Sequence, residues 1–121
     1  MTIQEIFDKI YNGLKSQGFC RSIAFINGEE KCAYRGENGL KCAAGHLITD
    51  ECYTSLMEGK AIQHPEPMKA LECSIGEVDE DARCLIRGLQ SLHDSCTTSV
   101  SMKDLLIRFA ERNYLTIPRD E

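Results

Sequence analysis

The chain is poor in several things at once, and each shortage closes off a class of protein. It has no Trp, four Tyr, four Phe and three Pro in 121 residues. The remainder, at 42% hydrophobic and 27% charged, is globular in composition and lacks the signature of a disordered chain. No run approaches the roughly 20 apolar residues that span a bilayer, so no integral membrane protein is expected. The first residues, Met1 to Asp8, mix acids into an apolar pattern and offer neither the basic nor the apolar region of a secretory leader. A cytoplasmic setting with reduced thiols follows as the expectation. Basic charge is short too: the formal net charge is −5, which argues against a general nucleic-acid binder. No phosphate-binding glycine loop, dinucleotide fingerprint, serine-hydrolase elbow or His-Glu-x-x-His pair occurs, so those chemistries lack support. There is no repeat, heptad run or dividing linker, and residues 1–121 read as a single domain.

What is present is helical periodicity. Thr2 and Glu5 form a capping box, and Ile3, Ile6, Phe7, Ile10, Tyr11 and Leu14 follow at helical spacing, predicting a helix over 3–17 that Gly18 stops. Ser22 to Ile26, Cys32 to Arg35 and Leu40 to Ala43 are β-prone and flank Asn27-Gly28 and Gly36-Glu-Asn-Gly39, which predicts two or three short antiparallel strands. Asp50 can cap a short helix through Cys52, Tyr53, Leu56 and Met57 that Gly59 ends. His64-Pro-Glu-Pro67 leads into a helix near Met68 to Cys73 that ends by Gly76. A further helix runs from Asp79 with Ala82, Leu85, Ile86, Leu89, Leu92 and His93 in a stripe. The last, from Ser101, carries Met102, Leu105, Leu106, Phe109 and Ala110 and ends before Pro118. The sum is an α+β domain, mainly helical, with helices packed on one small sheet.

Seven cysteines are many for this length, and an odd number cannot all pair. Cys32, Cys42, His46 and Cys52 can supply a complete tetrahedral zinc set. Their spacing has no close Cys pair, the usual mark of a structural site. The alternatives are that these thiols are small core hydrophobes, or that His46 activates Cys42 as a nucleophile while Asp50 orients the imidazole. Arg35 and Lys41, with Glu37 and Asn38 in the turn between them, form a candidate anion or partner contact. A second is the acidic run Glu77, Asp79, Glu80 and Asp81, which can equally be a helix N-terminus on a solvated face. His93-Asp94 is either an acid–base pair or a helix-end histidine.

The stretch Cys32-Ala-Tyr-Arg-Gly-Glu-Asn-Gly-Leu-Lys-Cys-Ala-Ala-Gly-His-Leu-Ile-Thr-Asp50, with Tyr53, Met57-Glu-Gly59 and the later Leu89-Gln-Ser-Leu-His-Asp94, resembles a group of small, uncharacterised bacteriophage and prophage proteins. The likeness covers roughly residues 30–113 in the same order. It implies a viral origin and a host-cytoplasm setting and supplies no catalytic residues. Members of that group often carry Cys where this chain has His46, an exchange that preserves metal-binding capacity. The resulting expectation is a non-enzymatic phage accessory protein that binds and modulates or inhibits a host protein, such as a defence component. The alternative is a small zinc protein or thiol enzyme centred on Cys42 and His46.

Overall fold

The computed structural model describes residues 1–118 apart from 27 and 97. Helix α1 spans Ile3–Ser16 and starts as the sequence dictates: Thr2 Oγ1 accepts the Glu5 N–H while the Glu5 carboxylate accepts the Thr2 N–H. Its Ile6, Phe7, Ile10, Tyr11 and Leu14 are buried on one face. Helix α2 covers Pro65–Ile75, α3 Glu80–Ser95 and α4 Ser99–Arg112. The expected start at Met68 is corrected to Pro65, because proline's missing N–H and fixed φ suit the first helical position. Asp79 caps α3 through the Ala82 N–H at 2.8 Å, and Thr98, rather than Ser101, caps α4.

Strands β1 (Ile23–Ile26) and β2 (Glu29–Cys32) form a two-stranded antiparallel sheet with Ile23 opposite Cys32 and Ile26 opposite Glu29. That register leaves residues 27 and 28 as the connection, with Gly28 at φ +81°; Asn27 lies outside the described residues. The architecture is therefore α+β and mainly helical, as expected, with two strands. The proposed strands at 32–35 and 40–43 reduce to a single bridge between Arg35 and Lys41. The reason is that the Tyr34 and Arg35 N–H groups donate to the Glu58 carboxylate, at 2.8 and 3.1 Å, instead of to a third strand.

Residues 50–57 are not a helix. The Cys52–Cys73 disulfide ties this segment to α2, and only Ser55–Met57 forms a 3₁₀ turn, capped by Thr54. A second 3₁₀ turn, Ala44–Leu47, sits near the centre of the molecule and packs against α1, α2 and α3. The core joins Ile6, Phe7, Ile10, Leu14, Leu47, Leu71, Ile86, Leu89, Met102 and Leu106, with Phe7 and Phe109 stacked at 6.5 Å between α1 and α4. Gly45 lies so close to the Tyr34 carbonyl that a Cβ would overlap it, which explains the glycine before His46.

Candidate functional site

The four nominated metal ligands are not brought together. Among the described residues no three of Cys32, Cys42, His46 and Cys52 share a cluster, and Cys52 is bonded to Cys73. The expectation of reduced thiols is corrected for that pair. Cys42 Sγ accepts the Gly45 N–H at 3.4 Å and is fully buried, and burial pushes its thiol well above its ordinary range. The His46 ring lies instead against Gly13 of α1, with its Nε2 buried and lacking a hydrogen-bond partner among the described residues. Burial, with Lys41 and His93 adding to it, pulls the His46 pKa down to about 4. Asp50 does not orient this ring. It pairs with Arg35 at 2.5 Å, and the Arg35 guanidinium stacks 4.3 Å above the Tyr53 ring. A Cys42–His46–Asp50 relay is thus not built.

The structure assembles a different group. Cys32 Sγ, a His93 ring nitrogen and an Asp94 oxygen lie within 4.8 Å of one another. His93 is completely buried, and its Nε2 accepts the Ser22 backbone N–H at 3.1 Å. Nε2 therefore carries no hydrogen, and the ring proton sits on Nδ1, 2.9 Å from Asp94 Oδ1. The same oxygen receives Gln90 Nε2 at 2.8 Å, while Gln90 Oε1 accepts the Ala44 N–H at 2.9 Å. A cation at Nδ1 would have to displace the ring's one proton while Nε2 went on accepting; in this structure the groups are joined as a hydrogen-bond network. Burial first, then Asp94, pushes the Cys32 thiol up to about 11, which keeps it protonated and weakly nucleophilic at neutral pH.

This network forms part of the wall of an open groove of about 880 Å³ between α3, the β2 exit and residues 59–63. A cavity of that size falls in the range of ligand sites. Exposed Lys31, Lys60 and Arg87 stand on three different parts of the wall, and Asp94 is the one carboxylate on it among the described residues. Lys31 makes a loose 3.9 Å contact with Glu29; Lys60 and Arg87 have no ion pair among the described residues. The groove's shape is set by Glu58, whose carboxylate takes the Tyr34 and Arg35 N–H groups and the Tyr53 hydroxyl at 2.6 Å. Tyr34 Oη in turn donates to the Lys60 carbonyl at 2.6 Å.

Of the nominated contact residues, Glu37 and Asn38 are exposed in a tight turn with Asn38 at φ 60°, and Glu77, Asp79, Glu80 and Asp81 are exposed before and at the start of α3. Asp79 is committed to its cap and Arg35 to Asp50 and Tyr53; the Lys41 backbone is held by both ends of the Gln17 amide. Lys31, Lys60, Arg87, Gln90 and Glu58 were not singled out by sequence pattern. Residues 32–50 and 89–94 meet here, through Gln90 and Ala44 and through Cys32 and Asp94. Comparison with protein-family models, with curated proteins and with solved structures finds no match. Among the described residues no helix is long and apolar enough to cross a membrane.

Proposed function

We propose that this chain is a phage-encoded accessory protein that acts without catalysis, by binding a host protein and modulating or inhibiting it. The groove beside α3 carries the reading. It is large enough for a ligand, it exposes Lys60 and Arg87, which have no ion pair among the described residues, and its Cys32 and Cys42 thiols are held protonated by burial. The exposed turn at Glu37 and Asn38 and the acidic start of α3 at Glu77, Glu80 and Asp81 extend the contact surface beyond the groove.

The test is quantitative affinity capture from a bacterial host lysate, followed by reconstitution with the purified partner. Ala61 is exposed and lines the groove, so Ala61→Trp plugs it without touching the core. A partner retained by the wild type and by Lys103→Glu, on the exposed face of α4, should be lost from Ala61→Trp. Retention of the same partner by the plugged variant would show that the groove is not the binding surface.

A further inference from the structure

We infer that the occupant of the groove is an extended acidic segment of the partner protein, laid along α3 beside β2 with its carboxylates on Lys31, Lys60 and Arg87. This rests on the binding reading above and gives the partner a chemistry.

Charge is the first argument. The chain carries a net −5, yet among the described residues the groove wall presents Lys31, Lys60 and Arg87 against one lining carboxylate, Asp94, with Glu29 only loosely placed 3.9 Å from Lys31. The Asp94 oxygen is already occupied by hydrogens from Gln90 and from His93. The local sign is therefore opposite to that of the molecule, an arrangement that draws an acidic partner to this face and repels it elsewhere. Glu80 and Asp81 at the first turn of α3 close that end to carboxylates, so the acidic side chains belong on the Arg87 side.

Length and backbone chemistry favour an extended segment. The groove follows α3 from Cys84 to Ser95, about 16 Å at the helical rise, which matches about five residues of extended chain. Among the described residues β2 pairs with β1 alone. The Ala33 N–H turns toward the Ser22 carbonyl at 3.1 Å, so the alternation of an antiparallel pair directs the Cys32 N–H to the opposite, unpaired edge. A peptide strand can be added along such an edge, its backbone giving affinity and its side chains specificity. Three cations are few for a nucleic-acid track, where each neutralised phosphate contributes to affinity by releasing a counterion.

The full chain is titrated against a fluorescein-labelled Glu-Val-Glu-Val-Glu-Val peptide and read by fluorescence anisotropy, beside a Lys-Val counterpart, an oligothymidylate and inorganic pyrophosphate as competitor. Saturable binding of the acidic peptide is expected, weakened by salt and lowered at least about tenfold by Lys60→Glu with Arg87→Glu, while Lys103→Glu leaves it unchanged. All three positions are exposed, and circular dichroism confirms the fold of each variant. Equal binding of the basic peptide, tighter binding of the oligothymidylate, displacement by pyrophosphate at peptide-like concentrations, or indifference to the charge reversals would each overturn the inference. If Ala61→Trp abolishes partner capture while the acidic peptide does not bind, the partner chemistry is wrong and the binding reading stands. If Ala61→Trp leaves capture intact, the groove is not the binding surface and the inference falls with it.

Discussion

Replacing Gly13 by Ala reverses the usual sign of a helix substitution here. In the middle of α1 the exchange should stabilise by about 1 kcal/mol, since Gly is the poorer helix former. A Cβ at Gly13, however, would lie under 3.0 Å from Cγ, Nδ1 and Cδ2 of His46. The first of these is the ring atom nearest the backbone, so the ring cannot swing clear; the Ala44–Leu47 turn must shift as a unit. That turn is held by the Gln90 hydrogen bond to Ala44 and by Gly45 against the Tyr34 carbonyl. Overpacking of this kind costs about 3 kcal/mol when the neighbour is rigid, which leaves Gly13→Ala destabilising by about 2 kcal/mol. His46→Ala removes the obstacle and also a buried nitrogen with no partner among the described residues, so on its own it should be nearly neutral. In that background Gly13→Ala should recover its stabilisation of about 1 kcal/mol, a coupling of about 3 kcal/mol across the cycle. Urea unfolding of the four proteins at neutral pH, followed by far-ultraviolet circular dichroism, measures it. A Gly13→Ala protein more stable than the wild type, or a coupling near zero, would refute the packing of His46 on α1.

Three further outcomes are expected. Because His46 has a folded pKa of about 4 against an ordinary 6.5, the unfolded chain binds more protons between these values, so stability is full above pH 6.5 and falls as pH drops toward 4. Allowing for solvent screening of a half-buried ring, the loss is about 2 kcal/mol, and a pH series on His46→Ala that showed the same loss would exclude this origin. The Cys52–Cys73 bond closes a loop with a sequence separation of 21, so Cys73→Ser should lower unfolding free energy by about 3 kcal/mol in oxidising buffer, and a reductant should bring the wild type to the same value; indifference to both would show the bond is not formed. Glu58→Gln presents an amide donor to a site that needs two acceptors for Tyr34 and Arg35 N–H, costing about 2 kcal/mol and raising hydrogen exchange at those amides; unchanged exchange would refute the anchor.

The helices were legible because their signals are local. Thr2 with Glu5, Asp79, and the stripes Ile6–Leu14 and Leu85–Leu89 are read within a few residues of each other. Strand β2 was not, since Glu29-Glu-Lys-Cys32 has no apolar alternation and is placed by the turn before it, while its partner residue Phe25 faces solvent at 59% exposure. The cysteine-rich segment announced chemistry by composition, yet what each thiol does depends on distant chain: Cys73 on α2 for Cys52, Asp94 on α3 for Cys32. The groove could not be read at all from pattern. Lys31, Lys60 and Arg87 belong to a strand, a loop and a helix, and nothing in their local sequence marks them as neighbours.

Two buried backbone donors, Ser22 N–H and Ala44 N–H, find their acceptors on one helix, at His93 and Gln90, across 71 and 46 residues of chain. During synthesis those donors leave the ribosome long before α3 exists. The hairpin and the central turn must then stay hydrated and open, since closing them early would bury amides without partners. Nascent chains stalled before residue 80 are therefore expected to be cut by protease as readily as an unfolded peptide, and chains extended beyond the exit tunnel past Ser95 to resist; protection of the shorter species would contradict this order. Helix α3 is in that sense the late template on which the first half of the molecule becomes a structure.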